Sequence, residues 1–178
     1  MKKLKFLPYK RKNSGRTNYK KRLLLLKSKK TRLVVRKTNK NIIVQFVNFD
    51  PKGDRVVFQA NSHELIKKGW PFSRKNIPAA YLTGYMLGKK AAGKIKEAIL
   101  DLGLHTSVKG CKIYACMKGV IDAGITVRCD EGFLPKQDRL EGKHIMHYHS
   151  INKNKAQFCA YKDTDKMNQI IDQTKKKL

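Results

Sequence analysis

The stretch of sequence that decides the fold is residues 32–60, RLVVRKTNKNIIVQFVNFDPKGDRVVFQA. It holds three runs rich in β-branched residues, Arg32 to Lys37, Ile42 to Phe49 and Arg55 to Ala60, separated by two short polar segments. β-branched and aromatic residues favour strands, whereas Asn, Pro and Gly favour turns. The stretch therefore predicts an antiparallel meander of three strands. Because the middle strand is apolar on both faces, we expect it to be covered on both sides.

Helices are predicted before and after this meander along the chain. Before it, Thr17 is expected to cap a helix from Asn18 to about Ser28. After it, the pattern predicts a short helix through Lys68 and a long helix from Pro78 to about Leu102. A fourth strand is predicted from Cys111 to Met117 and a fifth from Ile125 to Cys129. Two more helices are expected, one from Pro135 to about Tyr148 and a last one from Thr164 to Gln173 with Met167, Ile170 and Ile171 inward.

Small residues recur every four positions on the long helix, at Ala80, Gly84, Gly88 and Ala92. Such a ridge is expected to let the helix lie close against the sheet. The predicted fold class is α/β, with a mixed sheet of about five strands in which an antiparallel meander is followed by β-α units. The predicted organisation is a basic arm with the first helix over residues 1–30, an α/β globular domain over 31–150, and a basic C-terminal extension with a short helix over 151–178.

The charge of the chain is strongly unbalanced. Its 178 residues include 41 Lys and Arg against 13 Asp and Glu, a net charge of +28. Residues 1–40 hold 17 of these bases and no acid, because the first acid is Asp50. A segment of one sign repels itself and binds a polyanion by releasing counterions. Tyr9 and Tyr19 lie among these basic residues, and tyrosine rings can stack on unpaired nucleotide bases. The polyanion that this segment favours is therefore RNA.

Other classes of function fit the sequence less well. A solvated tail would mix both signs of charge, and the longest aliphatic run, Leu23 to Leu26, is far shorter than a membrane span. The four cysteines form no C-x-x-C pair, so reduced thiols and a cytoplasmic location are expected. The acidic residues are scattered, whereas metal-dependent catalysis needs clustered carboxylates. His144, His147 and His149 lack the further ligand that a zinc site needs. We therefore expect no catalytic site, metal, cofactor or small-molecule substrate.

Eight segments in order, from Arg16 to Tyr148, carry a family resemblance. They are Arg16-Thr17 with Tyr19, Arg22 and Leu23; Arg32-Leu33-Val34 with Arg36-Lys37 and Asn39-Lys40; Gly53-Asp54; Gly69-Trp70; Pro78 with Ala80-Tyr81-Leu82-Thr83-Gly84; Leu100-Asp101 with Gly103-Leu104; Gly119 with Ile121-Asp122-Ala123-Gly124; and Arg139 with Gly142, His144-Ile145 and Tyr148. In these segments the chain resembles the archaeal-type large-subunit ribosomal proteins of the eighteenth family, which bind 5S rRNA.

The resemblance implies a ribonuclease-H-like mixed sheet without nuclease activity. It also implies a place in the central protuberance of the ribosome, where the protein would bind 5S rRNA, touch the large-subunit rRNA and neighbour a second 5S-binding ribosomal protein. The alternatives are a general RNA-binding chaperone without a fixed target and an RNA-processing enzyme on the same sheet. Residues 151–178 lie outside the resemblance.

Charge, aromatic content and resemblance together give a set of candidate RNA-binding residues. They lie in the arm, the first helix, the first strand with its turn, and the loop after the short helix. The set comprises Tyr9, Lys10, Arg11, Lys12, Arg16, Tyr19, Lys20, Lys21, Arg22, Arg32, Arg36, Lys37, Lys40, Trp70, Arg74 and Lys75.

Overall fold

A computed structural model describes residues 7–151 and 164–178 of the chain. Within them the strands are β1 (Arg32–Lys37), β2 (Ile42–Asn48), β3 (Arg55–Asn61), β4 (Glu97–Asp101) and β5 (Thr126–Val127). The helices are α1 (Lys10–Asn13), α2 (Tyr19–Lys27), α3 (Glu64–Lys67), α4 (Ile77–Ala91), α5 (Lys112–Asp122), α6 (Gln137–Leu140), α7 (Lys143–Ile151) and α8 (Met167–Lys176). Short 3-10 turns cover Glu131–Phe133 and Thr164–Lys166.

The strands form one mixed sheet in the order β3-β2-β1-β4-β5. β1, β2 and β3 pair antiparallel, which confirms the predicted meander, and β4 and β5 add parallel strands beyond β1. The predicted α/β class and five-stranded mixed sheet are therefore confirmed. The central strand is β1, however, and not β2 as expected.

One face of the sheet forms the core with α4 and α5. Leu33 and Val35 on β1, and Val44 and Phe46 on β2, are fully buried on this face. On the opposite face Ile43 and Gln45 of β2 are only partly buried. The expectation that β2 is covered equally on both sides is therefore met only in part.

The predicted long helix from Pro78 to Leu102 is wrong, because α4 ends at Ala91. Ala92 is extended and Gly93 adopts a left-handed φ of 77°, which ends the helix. The chain then enters β4, which runs parallel to β1 with Ile99 opposite Arg32. The apolar residues of this short buried strand fitted a helical period by coincidence, an ambiguity common to short apolar runs.

The predicted strand from Cys111 to Met117 is also wrong. Lys112–Asp122 form the single helix α5, which ends before Gly124, a residue with φ of 98°. Ile113 and Met117 are buried, and so are the residues between them. This part of α5 therefore shows no exposed face that would mark it as a surface helix.

The ridge of small residues packs α4 against α5 rather than against the sheet. A Cβ on Gly84 would overlap the carbonyl group of Cys116, and one on Gly119 would overlap the carbonyl oxygen of Tyr81. Each helix thus presents a glycine where the partner's backbone passes. This close approach leaves no space for side chains at the crossing.

The C-terminal helices differ from their prediction in detail. The expected helix from Pro135 to Tyr148 is divided into α6 and α7 at Gly142, whose φ is 77°. α8 packs on α4 through Met167 and Ile171, which are buried as predicted, while Ile170 is partly buried. The end of the chain is thus part of the main hydrophobic core.

Candidate RNA interface

The arm and first helix present positive charge on short helices with no buried side chain. α1 and α2 contain no acidic residue in their first turns and bury none of their residues. Asn18, not the predicted Thr17, caps α2, because its Oδ1 accepts a hydrogen bond from Lys21 N at 3.1 Å. Thr17 Oγ1 instead accepts from Arg11 Nε at 3.0 Å, which ties the arm to the start of α2.

Two aromatic rings lie together at this junction. The ring centroids of Tyr9 and Tyr19 are 5.0 Å apart with an angle of 41° between the planes, and Tyr9 is 71% exposed. Lys10, Arg11, Lys12, Arg16, Lys20 and Lys21 surround them, all of them exposed. The structure therefore brings the candidate residues of the arm and the first turn of α2 onto one accessible basic surface, which we call the arm surface.

Three candidate arginines are instead held by carboxylates. Arg32 is 3% exposed and lies between Asp54 and Asp101, with Nη2 2.7 Å from Asp54 Oδ2 and Nη1 3.2 Å from Asp101 Oδ2. Arg22 Nη2 is 3.0 Å from Asp54 Oδ1. Asp54 thereby joins α2 to the sheet, and Arg32 is a structural residue enclosed by the protein rather than an accessible RNA ligand.

Arg36 is also anchored, although its side chain is 39% exposed. Its Nη1 donates to the carbonyl oxygens of Val35 and Asp101, and its Nη2 donates to Asp101 Oδ1 at 3.1 Å. Gly103, with φ of 61°, lies directly against the guanidinium group, and a Cβ there would come within 2.9 Å of Arg36 Cζ. The position of this cation is therefore set before any ligand binds.

A cluster of four cationic side chains and one histidine forms where β1 ends. Burial, followed by the charges of Lys75 and Lys37, holds the pKa of the Lys112 ammonium below its usual value. Burial, followed by the charges of Lys37 and Arg36, likewise lowers the pKa of His105. We call these five residues the Lys37 cluster. Arg36, Lys37 and Lys75 were among the predicted RNA-binding residues, whereas His105 and Lys112 were not, because they are distant in sequence and only the fold brings them to the end of β1.

The turn after β1 holds Lys40 at the surface. Thr38 Oγ1 donates to Asn41 O at 2.8 Å and accepts from Asn41 N at 2.9 Å, and Thr38 N also donates to Asn41 O. These three bonds close the turn. Lys37 and Lys40 are both exposed beside it.

The loop after α3 divides its candidate residues between the core and the surface. Trp70 is 2% exposed, its Nε1 donates to Ser73 O at 3.2 Å, and its ring meets Phe72 edge-on at 5.2 Å. The indole is therefore a core residue, and it offers no face on which a base could stack. Arg74 lies beside His63, with Nη1 2.6 Å from Nδ1, and Lys75 is exposed in the Lys37 cluster.

The described part of the chain contains no group of three or more His, Cys, Asp or Glu residues arranged to hold a metal ion. His149 Nδ1 lies 3.0 Å from Asp165 Oδ1 at the side of α7. In residues 7–151 and 164–178, no helix has the length and apolar character needed to cross a bilayer.

Comparison with known proteins identifies the family. Residues 4–98 match the sequence model of a family described as ribosomal large subunit proteins 60S L5 and 50S L18. The large ribosomal subunit protein uL18 of Korarchaeum cryptofilum is 53% identical over 139 residues, which cover 77% of this chain and 71% of that protein. The uL18 protein of Thermofilum pendens is 40% identical over 183 aligned positions, which cover 97% of this chain and 93% of that protein. The chain therefore belongs to the uL18 family of ribosomal proteins, non-enzymatic structural components of the large ribosomal subunit.

Proposed function

We propose that this ribosomal protein binds 5S rRNA and attaches it to the large-subunit rRNA in the central protuberance, beside a neighbouring 5S-binding ribosomal protein. The observation that carries the proposal is the arm surface, where exposed basic residues lie beside an exposed Tyr9 and a half-buried Tyr19, without a carboxylate among residues 7–31. Family membership gives the ribosome as the setting. In that setting the abundant polyanion is RNA.

The arm surface suits a folded RNA. A-form RNA has a major groove too narrow for side chains, so proteins recognise its shape, its 2′-hydroxyl groups and its unpaired bases. Lys10, Arg11 and Lys12 provide phosphate contacts on one short helix, and Tyr9 with Tyr19 offers rings for unpaired bases. Phosphate contacts position the RNA, and stacking selects loops over duplex.

The Lys37 cluster supports the proposal in a second way. Burial first, and then the nearby charges of Lys75 and Lys37, lower the pKa of the Lys112 ammonium. Such crowding of like charges costs free energy in the free protein, and a bound phosphate group relieves it. We propose that this cluster, with Lys40 beside it, binds the RNA backbone at the end of β1.

The salt dependence of binding to 5S rRNA tests the role of the arm surface. If about 8 phosphates are neutralised, log K should fall with log salt at a slope of roughly −6 to −7. Replacing Lys10, Arg11 and Lys12 by Gln should flatten that slope by about 2 to 3 and weaken binding. A matched variant replaces Lys67, Lys68 and Lys136, which are exposed elsewhere.

The two variants lose the same net charge, so long-range attraction falls equally in both. The proposal requires the arm variant to lose more affinity and more slope than the matched variant. Equal slopes in the two variants would show that the arm makes no phosphate contacts of its own.

A further inference from the structure

A third basic site lies at the end of the sheet opposite the Lys37 cluster. There a cleft of about 380 Å³ opens between the end of α2, the start of β3 and the turn that follows α4. Four lysines and three apolar side chains line most of it: Lys29, Lys30, Lys94, Lys96, Val57, Phe58 and Ile95. We call this site the lysine cleft. It shares no residue with the arm surface or the Lys37 cluster.

The charge in the cleft is strongly positive. Glu97 is its one lining acid, and Glu97 Oε2 is already 2.6 Å from Lys30 Nζ. This pair leaves Lys29, Lys94 and Lys96 without a carboxylate partner among the described residues. Three such ammonium groups around one cleft are complementary to an anion that carries several charges.

The floor of the cleft is apolar and partly aromatic. β3 contains a bulge opposite Phe46 and Val47, which leaves Val57 as an extra residue and 40% exposed. Bulges re-aim side chains, and here the bulge places Val57 next to Phe58 in the cleft. Lys94 Nζ lies 5.4 Å from the centroid of the Phe58 ring, so a cation now covers part of that ring.

Lys29 adopts a left-handed backbone conformation that lysine rarely adopts. It follows the C-cap of α2 with φ of 53°, and it is the only non-glycine residue with positive φ in the described ranges. Glycine or asparagine usually occupies this position after a helix. A lysine there carries strain, and observed strain of this kind often accompanies a functional side chain. Here that side chain lines the cleft.

We propose that the lysine cleft binds a single-stranded or bulged segment of RNA, with one base against Phe58 and Val57 and the flanking phosphates on Lys29, Lys94 and Lys96. The inference rests on the proposed function, RNA binding, and adds a further RNA segment to it. The six residues of β1 separate the cleft from the Lys37 cluster by about 17 Å. The protein could therefore hold two RNA segments at opposite ends of one strand.

The chemistry favours RNA over an acidic peptide. A base is planar and stacks on an aromatic ring, and its own phosphates lie within reach of cations at the ring edge. Lys94 would leave the ring of Phe58 to contact a phosphate, and the base would take its place. An acidic peptide would use the lysines equally well but would gain little from an aromatic floor.

The test uses the full chain and three probes: an eight-nucleotide oligouridylate, a blunt RNA duplex of the same length and an octaglutamate peptide. Phe58→Leu keeps the charge and approximates the volume of the side chain, so the fold should persist. It is expected to weaken oligouridylate binding by roughly 5- to 20-fold through lost stacking. Duplex binding should change by less than about twofold, because a duplex offers no unstacked base.

A charge variant provides the second measurement. Lys29→Gln, Lys94→Gln and Lys96→Gln are combined and compared with the matched triple Lys67→Gln, Lys68→Gln and Lys136→Gln. The cleft triple should lose at least about tenfold more oligouridylate affinity than the matched triple, since only it removes phosphate contacts beside the stacked base. Thermal unfolding of each variant checks that the fold is intact.

Three outcomes would overturn the inference. The first is that Phe58→Leu binds oligouridylate as tightly as the unchanged protein does, and the second is that the two charge variants lose equal oligouridylate affinity. The third is that the cleft variants lose affinity for the octaglutamate peptide and not for oligouridylate. A lack of preference for 5S rRNA in the unchanged protein would instead contradict the proposed function. The two failures are therefore distinguishable.

Discussion

Arg32 and Asp101, on the adjacent parallel strands β1 and β4, form a buried ion pair in which Nη1 lies 3.2 Å from Oδ2. Asp101 also accepts from Arg36 Nη2 at 3.1 Å and from Gly103 N at 2.8 Å. One carboxylate thus fixes two arginines and the chain that leaves β4. This network ties β1 to β4, and the Lys37 cluster lies at the end of β1.

Replacing Asp101 by Asn should strongly destabilise the protein. The substitution leaves the guanidinium of Arg32 buried with one fewer counter-charge, and breaking a buried ion pair costs about 3–5 kcal/mol. Urea unfolding measures the loss. Glu97→Gln, which removes the exposed pair with Lys30, is the control and should cost less than about 1 kcal/mol. Similar losses in the two variants would show that Asp101 is no more than a surface partner.

The crossing of α4 and α5 predicts that Gly119→Ala destabilises the protein, although alanine usually favours a helix. The new Cβ would overlap the carbonyl oxygen of Tyr81, a backbone atom that cannot rotate away. Overpacking of this kind typically costs about 1–3 kcal/mol. Gly132→Ala is the control, because its Cβ would meet nothing nearer than Asp130 Oδ1 at 3.4 Å. Thermal unfolding that ranks Gly119→Ala as the more stable variant would refute the close crossing.

Tyr81 predicts a specific dependence of stability on pH. Burial, followed by the hydrogen bond that its hydroxyl donates to Asp122 Oδ2 at 2.9 Å, raises the pKa of this phenol well above its usual range. The hydroxyl oxygen of Tyr81 in turn accepts a hydrogen bond from Lys175 Nζ at 3.0 Å. Tyr81→Phe should therefore cost about 1–3 kcal/mol near neutral pH, as measured by urea unfolding.

That deficit should shrink at alkaline pH. Above pH of about 10 the unfolded phenol loses its proton while the folded one keeps it, which stabilises the unfolded state of the unchanged protein alone. The contribution is thus complete below the unfolded pKa and is lost as pH rises through the folded pKa. Comparing the two proteins near pH 7 and at about pH 11 cancels the effects of the other tyrosines. A deficit that stays constant or grows would contradict the raised pKa.

Lys29→Gly should raise stability and lower RNA affinity in the same molecule. Glycine relieves the left-handed strain, so the free energy of unfolding should rise by about 0.5–1 kcal/mol. Lys29→Ala removes the same charge without relieving the strain and serves as the control. Both variants should bind oligouridylate more weakly than the unchanged protein, and only Lys29→Gly should unfold at higher urea. Unchanged affinity in both would remove Lys29 from the lysine cleft.

The meander was predictable because its strands and turns are each specified by residues that are adjacent in sequence. The strands lie between turn residues, and β1 has the predicted bounds. β4 was assigned the wrong structure because it has only five residues, and α5 because residues 113–117 at its start are all buried, so neither segment has a clear periodicity. The glycines of α4 were correctly identified as a packing ridge, but only the fold reveals that α5 is the partner.

The candidate site was predictable in its exposed part and not in its buried part. The arm carries bases without acids, so its exposure follows from sequence alone. Arg32 and Trp70 are residue types that can bind RNA, but both are buried in the protein. Asp54 and Asp101, which hold Arg32, are distant from it in sequence, so their pairing could not be predicted from the local pattern. The lysines of the cleft come from separate segments, so no sequence window contains them together.

A competition titration tests the central claim most directly. Labelled 5S rRNA is bound to the full chain at about 150 mM salt, where non-specific contacts are weakened, and unlabelled tRNA or unlabelled 5S rRNA is added. Recognition by shape and unpaired bases predicts that tRNA displaces the label at least about tenfold less effectively than 5S rRNA does. Equal displacement by the two RNAs would contradict the account and would favour a general RNA chaperone without a fixed target.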